Sequence, residues 1–170
     1  MLKKYLNNKG FGLVELLIIV IIVISLSAVS FNYYKMTLEK SKVADAMAIL
    51  RQIADSNIIY YRENRMYTDD ITKLLIKVEG EEVSENGYKW TKTELFSYRA
   101  DNKKVSASPS NSNKSVFELA YAKRDGKYEI YVLYDEGSES LRFDASASTF
   151  NDAGFIDGKI VEIIQEKGRL

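Results

Sequence analysis

The sequence contains no cysteine and no histidine. Without cysteine there can be no disulfide and no thiol nucleophile. Without histidine the chain lacks the side chain that most often serves as a general base or a metal ligand. The sequence also has no glycine-rich phosphate loop and no nucleophile–base pair. These absences predict a protein that is not an enzyme, that binds no cofactor, and that relies on packing for its stability.

Proline and glycine are also scarce. The one proline is Pro109, and neither residue type occurs between Leu13 and Arg65. Because proline and glycine are the residues that most strongly disfavour a helix interior, this stretch predicts one helix of about fifty residues, roughly 75–80 Å long. Its first half is apolar all round, and its second half is amphipathic.

Basic and acidic side chains are equal in number, 24 of each. Three of the basic ones, Lys3, Lys4 and Lys9, lie in the first ten residues, so the rest of the chain carries an acidic excess. A nucleic-acid-binding protein needs clustered positive charge. We therefore expect no nucleic-acid partner.

The longest apolar run extends from Phe11 to Phe31, and Leu16 to Ile24 contains no polar side chain. At about 1.5 Å per residue, a helix of this length crosses a hydrocarbon layer of roughly 30 Å. Glu15 interrupts the run, and an ionised carboxylate in a membrane helix costs on the order of 3 kcal/mol. A chain with an acid at this place is expected to supply a partner charge for it.

A basic leader ends at Gly10, Phe11 follows, and Glu15 is the fifth residue when Phe11 is counted as the first. This order, followed by an unbroken apolar helix, resembles the class III signal of type IV pilins and type II secretion pseudopilins. The resemblance implies that prepilin peptidase cuts between Gly10 and Phe11 and N-methylates Phe11. It also implies self-assembly into a helical filament on an inner-membrane platform, with Glu15 compensating the Phe11 amine of a neighbouring subunit.

Other interpretations of the N-terminal region remain open. Residues 1–27 have the features of an ordinary secretory signal, with Ser25-Leu26-Ser27 as a small-x-small cleavage site. Residues 11–31 could also be a plain membrane anchor. Neither alternative accounts for Glu15. The chain departs from many pilin-like proteins in having no cysteine for a C-terminal disulfide, and Ile24 and Asn32 stand where those helices often have glycine and proline.

An apolar stripe at helical spacing continues after the apolar run. Its residues recur at three- and four-residue steps, which predicts one buried helix face. They are Val43, Ala46, Met47, Leu50, Ile53, Ala54, Ile58 and Tyr61. After the helix, Thr68 or Asp69 is a candidate N-cap for a short helix that ends near Leu75.

The remaining chain predicts an antiparallel meander that covers this stripe. The residues from Glu79 to Gly87 are polar and typical of turns, and Tyr88–Thr93 is a loop or strand with Trp90 as a core anchor. Two short strands are expected around a turn at residues 101–104. The next expected elements are a hairpin of 116–123 with 127–134, a strand at 140–144, and a final helix or edge strand from Phe155 to Lys167.

Oxygen-bearing side chains gather near the C-terminus, at Asp144, Asn151, Asp152 and Asp157. Some pseudopilins hold calcium in an acidic C-terminal loop, so a hard-cation site is conceivable here. The spacing matches no defined calcium loop, and such residues are common in solvated turns. We therefore predict no metal site.

These observations predict an α+β, pilin-like fold in which a long N-terminal helix packs on a C-terminal antiparallel sheet. The expected parts are a leader (1–10), an apolar half-helix (11–34) and a globular domain (35–170). The predicted function is that of a type IV pilus subunit, or alternatively of a type II secretion pseudopilin or a signal-anchored periplasmic or surface binding domain. A single-pass location in the bacterial inner membrane would precede an extracellular pilus or a periplasmic pseudopilus.

Overall fold

A computed structural model describes residues 12–124, 127–147 and 155–167, without the side chains of residues 28, 29, 32, 147, 155–158 and 167. The described chain is an α+β structure with a helix first and an antiparallel sheet after it. In chain order the elements are α1 (Leu13–Asn64), β1 (Glu81–Glu85), β2 (Tyr88–Lys92), β3 (Ser97–Ala107), β4 (Ser115–Arg124), β5 (Tyr128–Asp135), β6 (Ser140–Ala147) and α2 (Phe155–Lys167).

Helix α1 is continuous over 52 residues, which confirms the single long helix predicted from the lack of glycine and proline. Serine and threonine side chains can disturb a helix by competing for its backbone hydrogen bonds. In α1 the hydroxyl groups of Ser25, Ser27, Ser30 and Thr37 each donate to the carbonyl oxygen four residues earlier. The helix therefore passes through this serine-containing stretch without a break.

The chain forms two compact units, residues 1–38 and 39–170, and the α1 backbone contributes to both. The second unit contains one six-stranded sheet in the order β1-β2-β3-β4-β5-β6, with every neighbouring pair antiparallel. Since each strand pairs with the one before it, the sheet is a simple meander. The predicted meander is confirmed, and so is its central hairpin of β4 and β5.

Two parts of the sheet differ from the prediction. Residues 81–85, expected to be turn-like, form the edge strand β1, which pairs with β2 in register from Glu81↔Lys92 to Glu85↔Tyr88. Residues 101–104 are not a turn between two strands, because β3 runs through them with irregular register at Ala100/Lys103 and Lys104/Ser106. The tail from Phe155, left open as a helix or a strand, is helical.

The core of the second unit lies between the C-terminal half of α1 and one face of the sheet. Val43, Leu50 and Ala54 of the predicted stripe are buried, together with Ala46 and Ile53. They form one hydrophobic cluster with small and branched residues of the sheet and with α2. The sheet and α2 residues of this cluster include Ala100, Leu119, Ala120, Ala122, Ile130, Val132, Ile160 and Ile164.

The side chain of Asn57 on α1 is a carboxamide that is fully buried beside this core. Its Nδ2 lies 2.9 Å from the carbonyl oxygens of both Thr68 and Asp101 and 3.2 Å from that of Leu119, and its Oδ1 accepts from the Thr68 N–H. Asp101 and Leu119 lie where the β3–β4 and β4–β5 registers are irregular. The amide therefore satisfies backbone groups that the sheet ladder leaves free.

The segment after α1 contains one turn of 3-10 helix at Ile71–Lys73. Its N-cap is Asp70, whose Oδ1 accepts from the Thr72 N–H at 3.0 Å. The prediction of Thr68 or Asp69 as the cap is therefore wrong by one or two residues. Thr68 instead accepts from the Asp70 N–H with its hydroxyl group, which fixes the approach of the chain to this turn.

Trp90 is buried, as predicted, but outside the hydrophobic cluster that surrounds α1. The guanidinium group of Arg99 lies 5.0 Å from the centre of the Trp90 ring, 4.1 Å from that of Tyr88 and 4.5 Å from that of Tyr121. Arg99 also donates to Asp101 at 2.6 Å. Trp90 therefore belongs to a cation–π cluster rather than to the apolar core.

Candidate assembly surface

Of the three residues predicted to take part in processing and assembly, Gly10 and Phe11 lie outside the described residues. Glu15 lies in the first turn of α1. Its Oε2 accepts a hydrogen bond of 2.7 Å from the backbone N–H of Gly12, the residue before the helix begins. The Leu16 N–H donates to the Gly12 carbonyl oxygen at 3.1 Å, which is the first backbone bond of the helix.

This geometry is half of a capping box, in which an acidic residue in the first turn accepts from the backbone N–H at the cap position. A negative charge is also favourable there because it opposes the positive end of the helix macrodipole. Glu15 therefore has a local structural role in starting α1. Since a carboxylate has two oxygens and about four acceptor positions, Glu15 can keep this bond and still accept from another donor.

The side chains that follow Glu15 form an apolar surface all round the helix. From Leu16 to Ile24 every residue is aliphatic, and each side chain is about half exposed, between 45% and 63%. We call residues 13–31 the apolar segment. A helix that is apolar on all sides is normally buried in protein or lipid, and exposed apolar patches of this kind mark interaction surfaces.

The C-terminal end of the apolar segment is aromatic and basic. Phe31, Tyr33 and Tyr34 are all exposed, and the ammonium group of Lys35 lies 4.4 Å from the centre of the Phe31 ring. Amphipathic aromatic rings and basic side chains are enriched where membrane helices meet water. The composition of this end is therefore compatible with a headgroup region.

No helix within the described residues combines the length and the apolar character needed to cross a membrane. The span predicted from the sequence, residues 11–31, includes Phe11 and the side chains of Ala28 and Val29, which lie outside the description. Membrane insertion stays a prediction.

A buried carboxylate holds α1 within the second unit. Glu39 is 5% exposed, and its Oε1 accepts a hydrogen bond of 2.7 Å from the Tyr128 hydroxyl group. The Arg124 guanidinium group forms an ion pair with the same oxygen, and Lys42 approaches Oε2 at 3.9 Å. Burial, and then the hydrogen bond to Glu39, raises the pKa of Tyr128 well above its usual value, so its hydroxyl group remains a donor.

This cluster was not predicted from the sequence. One signal was available, because Glu39 lies four residues before Val43 and so falls on the buried stripe of α1. A charged residue on a buried helix face needs a partner. The identity of that partner was not available, since Arg124 and Tyr128 are more than eighty residues away in the chain.

Of the four oxygen-bearing residues considered for calcium, only Asp144 has a side chain among the described residues. Asp144 Oδ1 accepts from its neighbour's backbone N–H and from Gln165 Nε2, the latter at 3.2 Å. Asn151, Asp152 and the Asp157 side chain lie outside the described residues. Over the residues that are described, no group of three or more acidic, histidine or cysteine side chains is arranged to hold a metal ion.

No protein-family model matches this chain, and no similarity to a curated protein or to a solved structure is detected. The function must therefore be inferred from the chain's own residues. Those residues are the Gly10–Phe11 junction, Glu15, and the apolar segment with its exposed surface.

Proposed function

We propose that the protein is the structural subunit of a type IV pilus filament. One observation supports this more than any other: residues 16–24 of α1 are aliphatic on every side of the helix and about half exposed, and the turn before them contains a single carboxylate. The second half of the same helix is covered by its own sheet. The globular unit of such a chain covers its own core, whereas the apolar surface of the first half of α1 must be covered by other molecules.

Helical self-assembly would bury that surface between subunits. Before assembly the apolar segment would lie in the bacterial inner membrane, where lipid covers it. After prepilin peptidase cuts at Gly10, subunits would leave the bilayer on the assembly platform and bury their apolar segments against one another. The aliphatic side chains of 13–31 would then pack in the filament core, where dispersion and the exclusion of water stabilise the contact.

Glu15 would determine the axial position of each subunit in this assembly. The cut would leave the amine of Phe11 as a positive charge about one helical turn from Glu15. An unpaired charge in an apolar core costs several kcal/mol, so the subunit arrangement that pairs Glu15 with a neighbour's Phe11 amine is preferred over slipped ones. The hydrogen bond from the Gly12 N–H keeps the carboxylate at the start of the helix. The Phe11 amine of a neighbouring subunit would have to lie beside it there.

Two alternative functions are consistent with some of the same features. A type II secretion pseudopilin would have the same processing, the same Glu15 and the same apolar segment, and would differ in its partners and in filament length. A signal-anchored periplasmic or surface binding domain would use residues 11–31 only as an anchor or as a cleaved signal. That alternative would place the function in a ligand site of the globular unit.

The mature N-terminus tests the proposal. The chain is expressed in a host with a prepilin peptidase, and mass spectrometry of the membrane fraction identifies its first residue. N-methylated Phe11 is expected. A chain starting at Ala28 would show a secretory signal, and one starting at Met1 would show an uncleaved anchor; either result contradicts the proposal.

A substitution at the junction gives the matched control. Gly10→Leu should leave uncut chain with Lys3, Lys4 and Lys9 still present, because a bulky side chain would not fit a peptidase site that accepts glycine. A chain that still begins at Phe11 in this variant would mean that the class III signal has been assigned incorrectly. Pilus and pseudopilus can then be separated by the neighbouring genes, a retraction ATPase for the former or secretion components for the latter.

A further inference from the structure

The β1–β2 hairpin turns through Asn86 and Gly87, between the paired residues Glu85 and Tyr88. Both turn residues have left-handed backbone torsions, with φ of 54° at Asn86 and 82° at Gly87. Two-residue turns of this type favour Asn-Gly because both positions need positive φ. The same dipeptide places a carboxamide beside a backbone nitrogen that no following side chain shields.

Neither of these two groups is engaged elsewhere. Both residues are exposed, and a Cβ atom added to Gly87 would meet nothing within 4 Å. No hydrogen bond from the Asn86 carboxamide or from the Gly87 N–H is formed with the described residues. The carboxamide is therefore free to rotate toward the Gly87 nitrogen, and water has access to both.

Asn57, Asn64 and Asn102 are in a different situation. The Asn57 amide is buried and fully hydrogen-bonded, and Asn64 donates from Nδ2 to the Tyr60 carbonyl oxygen at 3.1 Å. Asn102 is exposed, but the side chain of Lys103 follows it and hinders approach to the intervening nitrogen. Asn86 alone among these four has an unengaged amide, an exposed side chain and a following glycine.

We propose that Asn86 is a site of spontaneous deamidation, with water as the co-reactant. The Gly87 backbone nitrogen, after loss of its proton, attacks Cγ of Asn86. The new N–Cγ bond closes a succinimide ring, the Cγ–Nδ2 bond breaks, and the nitrogen leaves as ammonia. Water then opens the ring. Opening at Cγ gives aspartate, and opening at the main-chain carbonyl carbon gives isoaspartate.

The two products have different effects on the hairpin. Aspartate tolerates positive φ, so it keeps the turn and adds one negative charge near Glu85, whose carboxylate is 3.8 Å from the Lys92 ammonium and 3.6 Å from that of Lys123. Isoaspartate inserts a methylene group into the backbone. A two-residue turn fixes the strand register, so this extra atom is incompatible with the Glu85↔Tyr88 pair.

Strand β1 would be the element affected by isoaspartate. Among the strands that the structure describes, it is an edge strand of five residues that pairs with β2 alone. Loss of the turn would release residues 81–85 while β2 to β6 keep their pairing. Formation of isoaspartate would thereby remove the acidic edge strand β1 and expose the backbone hydrogen-bonding groups of β2.

The test follows the full-length protein, in detergent, through a long incubation at mildly alkaline pH. Mass spectrometry of the tryptic peptide 78–89 should show conversion of the Asn86 amide to a carboxylic acid, with isoaspartate as one product. Peptides containing Asn57, Asn64 and Asn102 in the same sample should remain unconverted. Asn86→Gln should abolish the conversion, because its longer side chain would have to close a less favourable six-membered ring.

Hydrogen exchange then reads the structural effect. Residues 81–85 should exchange faster in the isoaspartate form and remain protected in Asn86→Asp, which has the same charge without the extra backbone atom. Conversion at Asn86 no faster than at Asn102 would overturn the proposal, as would conversion seen only after the protein is denatured. Unchanged protection of β1 in the isoaspartate form would overturn the predicted effect on the sheet edge.

Discussion

The side chain of Asn57 on α1 donates from Nδ2 to the carbonyl oxygen of Leu119 on β4, 62 residues later in the chain. The same nitrogen also bonds the carbonyl oxygens of Asp101 on β3 and of Thr68. One amide thus joins the helix, the segment that follows it and two strands. All of these groups are buried or part of the buried backbone, so none can be satisfied by solvent instead.

We predict that Asn57→Ala destabilises the second unit strongly. Several buried backbone groups would lose their partner, and each unsatisfied group costs about 1–3 kcal/mol, so we expect a loss of roughly 3–5 kcal/mol in the free energy of unfolding. Urea unfolding followed by circular dichroism measures it. Asn64→Ala is the matched control on the same helix and should cost less than about 1 kcal/mol, because Asn64 is exposed. Equal losses in the two variants would contradict the role given to Asn57.

A second prediction concerns pH. Burial, and then the charge of Asp101, raises the pKa of Glu118 to about 7, while the charges of Arg99 and Lys103 oppose this and that of Glu129 adds to it. The folded chain then holds a proton on Glu118 at a pH at which the unfolded chain, where the carboxyl has its ordinary pKa of 4.5, has released it. The free energy of unfolding should therefore fall as pH rises from about 5 to about 7 and be level above that range.

Glu118→Gln removes this dependence. At pH 8 the variant should be more stable than the wild type by about 1–3 kcal/mol, because it buries no charge, and at pH 5 the two should be similar. Thermal unfolding at both pH values measures the difference, with the exposed Glu63→Gln as control. Asp70 and Asp135 have lowered pKa values, so their contribution is lost only in more acidic solution, outside this range. A wild-type stability that rises between pH 5 and 7 would contradict the assignment to Glu118.

A third prediction is that residues 35–170 form a soluble, folded monomer. The compact unit begins at Glu39, and the fragment retains Glu39 with its partners Tyr128 and Arg124. It also retains the whole buried stripe of α1 and lacks the entire apolar segment. Gel filtration should give a monomer and calorimetry a single cooperative transition. Aggregation, or the absence of a transition, would show that the apolar segment is needed for folding.

The fourth prediction concerns Glu15. Glu15→Gln keeps the shape of the side chain and an oxygen that can accept from the Gly12 N–H, so α1 should still begin at the same place. The substitution removes the charge that would pair with a neighbour's Phe11 amine. Membrane insertion and cleavage at Gly10 should be unchanged while the filament yield falls, measured by shearing and electron microscopy.

In cells that express both forms, the variant should enter filaments poorly beside the wild type. Ser27→Ala is a useful control, since it changes a polar residue of the same segment whose hydroxyl group bonds only within its own helix. Filaments of normal abundance from Glu15→Gln alone would mean that the carboxylate serves only to start the helix.

Local sequence signals predicted most of the fold. The absence of glycine and proline predicted α1, its stripe predicted the core face, and alternation around Arg124 predicted the β4–β5 hairpin. Strand β1 was missed because three of its five residues are glutamate, which is a poor strand former. Its Asn86-Gly87 turn was a usable signal for a hairpin, and the polar composition around it concealed this.

Other features depend on contacts that no local pattern reveals. Residues 101–104 have the composition of a turn, yet β3 continues through them, and Asn57 Nδ2 donates a hydrogen bond to the Asp101 carbonyl oxygen at the irregular position. The partners of Glu39 likewise lie on a distant hairpin. At the candidate assembly surface, Glu15 and the apolar segment were predicted from the sequence. The hydrogen bond between Glu15 and the Gly12 N–H was not, because it depends on the conformation of the first turn of α1.

The hydroxyl groups of Ser25, Ser27 and Ser30 donate to carbonyl oxygens of their own helix, and this leaves the apolar segment without a free side-chain hydrogen-bond donor beyond its first turn. Two such helices lying side by side could slide by one turn, about 5.4 Å, and exchange one set of aliphatic contacts for a nearly equivalent set. Packing would then fix how closely they approach and would say little about how far along they lie. In any polymer built from them, axial position would be set by one carboxylate in each subunit, so a change at that residue would remove the contact that distinguishes the correct spacing from slipped ones.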